Sequence, residues 1–249
     1  MDDTTRELRL AAALLESVDT LTEGFDPGRQ LRGVADRCAE ALGARAAGVL
    51  LVDGERVVSL AASGGLALEL LAAQRDDGPG LDAYRSGRAV APVALGSARA
   101  ASRWPGFTRA ALRYGVGAAL AVPLRGRERR LGALNVFLAA PPEGDAELRL
   151  AQALADGAAL GLHHGELYRE CRARAGQLER ALSSRVRIEQ AKGMLAERWN
   201  TGPDDAFTAL RQYARRHRLP LDQVARSVVE RTADDAGLRR EAEGPAGPG

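Results

Sequence analysis

Ser184-Arg185-Val186-Arg187-Ile188-Glu189-Gln190-Ala191-Lys192-Gly193-Met194-Leu195-Ala196-Glu197-Arg198 is the most informative stretch of this 249-residue chain. Val186, Ile188, Ala191 and Leu195 can face a small helical bundle, which leaves Arg185, Arg187 and Lys192 on or near its open side. Gly193 costs about 1 kcal/mol relative to alanine in a helix interior. Close approach by another backbone, from a neighbouring helix or a nucleic acid, is the expected offset. Lys192 is the one lysine among 35 basic residues, the others being arginine.

Downstream, Thr201-Gly202-Pro203-Asp204-Asp205 starts a helix carrying Ala206, Phe207, Leu210, Tyr213 and Ala214. Leu219-Pro220-Leu221-Asp222 starts another, carrying Val224, Ala225, Val228 and Val229. Arg211, Arg215 and Arg218 fall at i, i+4 and i+7, one stripe of the first of these helices. Between residues 172 and 231 there are 13 basic and 7 acidic residues, although the whole chain carries only +2. Such an asymmetry points to a polyanion partner for the C-terminal half. Phosphate attraction alone does not separate RNA from DNA. Asp204, Asp205 and Asp222 lie at helix starts, where carboxylates cap and favour the macrodipole, so they do not read as catalytic acids. His217 reads as a surface residue.

Upstream, residues 144–199 contain no proline. Leu150, Leu154, Gly157, Gly161, Tyr168, Cys171, Ala175, Leu178 and Leu182 recur at steps of three and four, apart from one gap of seven. The glycines weaken the first half as an isolated coil, so it is expected to pack on a sheet. The second half, about 168–182, is expected to pair two subunits in parallel.

Before this helix the texture is mixed. Residues 5–23 show helical spacing, and Asp26-Pro27 caps a second helix that runs to about Leu42 and buries Leu31, Val34, Ala35, Cys38 and Leu42. Ala46–Val52, Asp53-Gly54 and Arg56–Ala62 read as strand, turn and strand. A helix is expected over about 66–74, ended by Gly78-Pro79-Gly80, followed by a helical turn over 82–86 and a strand over 89–94. Loop and helix follow over 102–114. Strands over 118–124 and 131–138 are joined by the charged turn Arg125-Gly126-Arg127-Glu128-Arg129-Arg130. The fold class is therefore α+β, an antiparallel sheet flanked by helices, followed by a long connecting helix and shorter C-terminal helices. Cys38 and Cys171 match no metal-ligand or disulfide spacing, and the chain holds no Walker loop, G-x-S-x-G or HExxH. No cofactor, no metal and no enzymatic activity is expected, nor any membrane span or secretory signal, which makes the expected location cytoplasmic.

The motif at 184–198, with Ala206, Phe207, Leu210, Arg211, Ala214, Leu221, Val224 and Ala225, resembles the ANTAR family of RNA-binding antitermination domains. "IEQAKGML" and "DDAFTALRQYAR" carry that likeness; Ala196 stands where the family often has methionine. Residues 29–160 resemble a GAF domain of the kind found ahead of ANTAR modules. The carrying segments are Gly78–Gly87, Arg103–Phe107, Tyr114–Val116, Ala121–Leu124 and Leu131–Val136, with Gly80 where that subgroup often has cysteine. The expected domains are an N-terminal helix over 1–28, a GAF-like sensor over 29–160, a connecting helix and candidate coiled coil over 161–179, the ANTAR-like RNA module over 180–233 and, from its Gly, Pro and charge content, a disordered tail over 234–249. The resemblance implies an all-α three-helix bundle that binds paired RNA hairpins in a nascent transcript and causes transcription antitermination, which with the pairing seam gives an expected homodimer. Arg185, Arg187, Lys192, Arg211, Arg215 and Arg218 are the expected RNA contacts. Tyr84, Trp104, Phe107 and Tyr114 are the expected lining of a sensor pocket for an unknown small molecule, unless the sensor docks another regulator instead. The alternative is a DNA-binding helix-turn-helix regulator with the same sensor.

Overall fold

The computed structural model describes residues 26–74, 76–127 and 129–243. The helix expected over 5–23 lies outside them. Contacts divide the chain into two units, with the boundary between Arg169 and Glu170.

The first unit begins as the Asp26-Pro27 pair dictates. The Gly28 amide donates to Asp26 Oδ1 at 2.9 Å, Pro27 takes the first turn, and helix α1 spans Pro27–Ala41. Strands β1 (Ala46–Asp53) and β2 (Arg56–Ala62) follow, joined through Gly54 at φ +61°, a left-handed conformation that glycine adopts without a Cβ penalty. Then come α2 (Gly65–Ala72), α3 (Pro79–Ser86), β3 (Val90–Ala94), α4 (Ala98–Arg103), α5 (Pro105–Arg113), β4 (Ala118–Arg125) and β5 (Arg130–Leu138). The strands form one antiparallel sheet in the order β2-β1-β5-β4-β3.

Gly78-Pro79-Gly80 differs from its expected role as a breaker: it starts α3. Pro79 supplies first-turn geometry, and both glycines admit neighbours that a side chain would displace. A Cβ on Gly80 would lie 2.5 Å from Asn135 Oδ1, and one on Gly78, at φ +153°, 2.4 Å from Gln74. The closeness serves a buried polar link. The Gly80 amide donates to Gln74 Oε1 at 2.8 Å, and Gln74 Nε2 donates to Asn135 Oδ1 at 3.1 Å. Both side chains are fully buried, and their mutual bonds offset a desolvation cost of about 1–3 kcal/mol per unmade bond.

Both faces of the sheet are covered. Ala47 and Val49 of β1, Leu120, Val122 and Leu124 of β4, and Leu134 and Val136 of β5 meet α1 through Leu31, Val34 and Cys38. The same layer takes Ala151, Leu154, Ala155, Ala158 and Leu162 from the start of the long helix α6 (Ala146–Trp199). Small residues at these places let the helix lie close to the strands, so the glycine-bearing first half of the heptad seam packs on the sheet. The opposite face buries Leu50, Ala119, Ala121 and Phe137 against α2, α3 and α5. Strands buried on both faces carry near-continuous apolar runs, which is why β1, β4 and β5 stand out in the sequence.

Cys38 is fully buried, and burial pushes its thiol from the ordinary value near 9 up to about 12; Cys171 is exposed. The neutral buried thiol favours the fold fully below about pH 9, and that contribution is lost as the pH rises through about 12. At pH 8 a thiol reagent should label Cys171 rapidly in the native protein and Cys38 only after unfolding. Equal rates at the two sites in native buffer would contradict the buried position of Cys38.

Candidate nucleic-acid interface

The second unit is built from the end of α6 with α7 (Pro203–His217), α8 (Leu221–Val229) and α9 (Asp235–Glu243). Ala191 and Leu195 of α6, Ala206, Leu210 and Ala214 of α7, and Val224, Ala225 and Val228 of α8 are buried together. Ile188 packs partly against them, whereas Val186, expected to face the bundle, is 48% exposed. At Gly193 a Cβ would meet nothing within 4 Å, so of the two expected offsets no neighbouring helix among the described residues supplies the close approach.

Helix α9 corrects the expectation of a disordered tail from residue 234, over Asp235–Glu243. Gly237 donates its amide to Asp234 Oδ1 at 2.9 Å, and Leu238, fully buried, joins the bundle core. Asp235 then fastens the helix to the end of α6, accepting from Arg198 Nη1 at 2.6 Å and from Trp199 Nε1 at 3.3 Å. One large apolar residue, Leu238, in a charge-rich stretch is too faint a pattern to register as a helix face.

The six cations expected to contact RNA do not act alike. Lys192 on α6 and Arg211 on α7 converge on the ring of Phe207, at 5.5 and 5.7 Å from its centroid. Lys192 also pairs with Glu189 Oε2 at 3.0 Å, one turn back, and its side chain is only 18% exposed. Arg185 lies seven residues before Lys192 and therefore on the same helix face, exposed. Arg215 and the cap residue Arg218 extend the exposed stripe that begins at Phe207 and Arg211. Arg187 is the departure. Its guanidinium makes a two-pronged pair with the Asp222 carboxylate, Nε to Oδ1 at 2.8 Å and Nη2 to Oδ2 at 2.9 Å. Two residues from Arg185, it projects to another side of α6, where it fastens that helix to the start of α8 instead of facing the open surface with the others.

Phe207 and Glu189 were missed as members of this surface. The spacings that place them there, Phe207 to Arg211 at i, i+4 and Glu189 to Lys192 at i, i+3, were available in the sequence. The chemistry is a cationic face with a half-buried aromatic at its centre, suited to phosphates and to unstacked bases.

The four aromatics expected to line a sensor pocket do not come together as one. Trp104 and Phe107 are fully buried core residues, Phe107 lying 6.0 Å from Phe137 between ring centroids. Trp104 Nε1 donates to Asp82 Oδ2 at 2.9 Å, and Arg103 pairs with the same oxygen at 2.7 Å. Tyr114 is 44% exposed at the end of α5. Tyr84 borders a cleft at the tips of the β1–β2 and β4–β5 turns.

A comparison with protein families matches residues 28–163 to the GAF domain and residues 176–229 to the ANTAR domain. Among solved structures the chain is similar to bacteriophytochrome RpBphP3 from the photosynthetic bacterium R. palustris, at 14% identity and a TM-score of 0.52 over 77% of this chain and 43% of that one. It is similar to the GAF domain from Acinetobacter phosphoenolpyruvate-protein phosphotransferase, at 12% identity, TM-score 0.47, 67% of this chain and 97% of that one. It is also similar to free methionine-R-sulfoxide reductase from Neisseria meningitidis, at 20% identity, TM-score 0.45, 66% of this chain and 95% of that one. No curated protein matches the chain. Among the described residues no helix is long and apolar enough to cross a membrane.

The Arg187–Asp222 pair yields a stability prediction. Arg187→Ala should lower the unfolding free energy of the helical unit by about 1–2 kcal/mol, between the values for exposed pairs and for charged hydrogen bonds. Chemical denaturation followed by circular dichroism measures it. A loss equal to that of Arg185→Ala would show that the pair contributes nothing beyond an exposed arginine.

Proposed function

The chain belongs to the GAF-domain family and carries an ANTAR domain after its sensor, and from that premise we propose that it is a signal-responsive regulator that binds hairpins in nascent transcripts and causes antitermination. ANTAR domains are RNA-binding antitermination modules and GAF domains are sensors. The observation that carries the finer reading is the convergence of Lys192 and Arg211 on Phe207, flanked by the exposed Arg185, Arg215 and Arg218. A hairpin loop presents phosphates and splayed bases together, and this face offers cations and an aromatic ring together. Duplex DNA would use the charges and leave the ring idle. The protein acts as a regulator without chemistry of its own, in the cytoplasm.

A parallel homodimer completes the reading. On α6, Leu178 is 72% exposed and Leu182 65%, along the seam that Cys171 and Ala175 continue. Each leucine covered by a second copy would contribute up to about 1.5–3 kcal/mol. Two RNA modules would then meet two hairpins, and a signal in the sensor would reach them through the helix. Leu178→Glu with Leu182→Glu should convert the dimer to a monomer in sedimentation analysis; an unchanged mass, or a monomeric parent, would remove this part of the account.

Binding of the purified chain to a tandem-hairpin RNA, a single hairpin and a duplex DNA across a salt series tests the main reading. The tandem hairpin should bind best, and Lys192→Ala should weaken it without unfolding the module, because Lys192 is not a member of the apolar core of the bundle. Equal, steeply salt-dependent binding of all three would reduce the C-terminal half to a generic polyanion binder, and preference for the duplex would favour a DNA regulator.

A further inference from the structure

The β4–β5 turn, Arg125-Gly126-Arg127-Glu128-Arg129-Arg130, is dense in charge, and neither the core nor the RNA reading uses it. The fold gathers its four arginines around one cleft of about 650 Å³, bordered also by Tyr84 and by Asp53 and Gly54 of the facing turn. A recess of about 280 Å³ shares Gly54, Tyr84 and Arg130 with that cleft and adds Arg85 and one carboxylate, Glu55. Among the described residues the arginines lining the cleft and recess outnumber the carboxylates, which are Asp53 and Glu55. Among the described residues, Arg129 pairs with Asp53 at 3.7 Å, and no carboxylate pairs with Arg85, Arg125, Arg127 or Arg130. Arg130 instead lies over the Tyr84 ring at 5.8 Å, and the Tyr84 hydroxyl donates to the Gly54 carbonyl at 3.1 Å, which holds the ring as a wall.

Like charges about 4 Å apart repel by about 1 kcal/mol in water and by more where water is displaced. A cleft so lined is stabilised by an anion, and its size falls in the range of small-molecule sites, about 300–1,000 Å³. Guanidinium forks match the oxygens of phosphate groups. On the other side of the same turn, Arg127 and Arg129 line a second recess of about 280 Å³ against His163 and Glu166 of α6. His163 Nε2 is buried with no hydrogen-bond partner among the described residues.

We propose that this arginine turn is the input site of the sensor and that it takes a compact polyphosphate group, free or carried on a nucleotide. Arg127 and Arg129 border both the 650 Å³ cleft and the recess against His163, so an anion that holds them on the Tyr84 side alters the charge around His163 and Glu166. Those residues lie just before the exposed stretch of α6 that leads to the RNA module. The inference deepens the sensor half of the proposed function and is independent of the RNA half.

Titration calorimetry of the full-length chain with tripolyphosphate, ATP, GTP and a short single-stranded RNA tests it. Tripolyphosphate or a nucleotide should bind, and Arg127→Ala/Arg129→Ala should weaken that binding by about tenfold or more, each lost charged contact being worth about that factor. The double variant should keep its ligand-free affinity for hairpin RNA, which separates this site from the RNA surface. Binding by tripolyphosphate alone assigns the source to free polyphosphate; binding by ATP or GTP alone assigns it to a nucleotide. Absence of binding by all three at millimolar concentration overturns the proposal, as does equal binding by the double variant. Binding of the RNA oligomer alone at this turn also overturns it.

Discussion

A single helix with two obligations governs this molecule. The first turns of α6 are held in the sheet core through Ala151, Leu154, Ala158 and Leu162, and its last turns supply Ala191 and Leu195 to the three-helix core. Between them the helix exposes Leu178 and Leu182. An isolated helix of that composition, with Gly176 in its middle, has little intrinsic stability. The two cores fix its ends, and the bare apolar seam between is what asks for a second chain. Signalling from the sensor to the RNA module depends on that continuity, since a break in α6 would leave the two with no common element.

Much of the fold was legible because both cores are made of strong periodic signals. Sandwiching between helices wrote continuous apolar runs into β1, β4 and β5, while steps of three and four wrote the bundle into Ile188, Ala191 and Leu195. The misreadings have physical causes. Gly78-Pro79-Gly80 looked like an interruption because close packing against Asn135 and Gln74 is a tertiary demand with no local signature. Helix α9 was hidden because its hold on the bundle rests on Leu238 and on Asp235, which is bonded to Arg198 and Trp199 more than 30 residues earlier.

The candidate surfaces were less legible than the folds. Charge on a helix announces itself, but its partner does not. Arg187 looked equivalent to Arg185 until Asp222, 35 residues away, came to meet it. Buried Trp104 and Phe107 looked like pocket walls because an aromatic in a core and one facing a cavity share the same residue type. Conversely, the Arg125–Arg130 turn read as an ordinary charged connection, and only the tertiary approach of the Asp53-Gly54 turn and Tyr84 makes it a cleft.

Photo-crosslinking of a tandem-hairpin RNA to the full-length chain, with the modified peptides mapped by mass spectrometry, tests most directly where the nucleic acid lies. Crosslinks should fall on the α6–α7 face, in peptides containing Lys192 and Phe207–Arg211, and should be absent from α8 and α9. Crosslinks confined to α8 and α9, or to the sensor domain, would contradict the account.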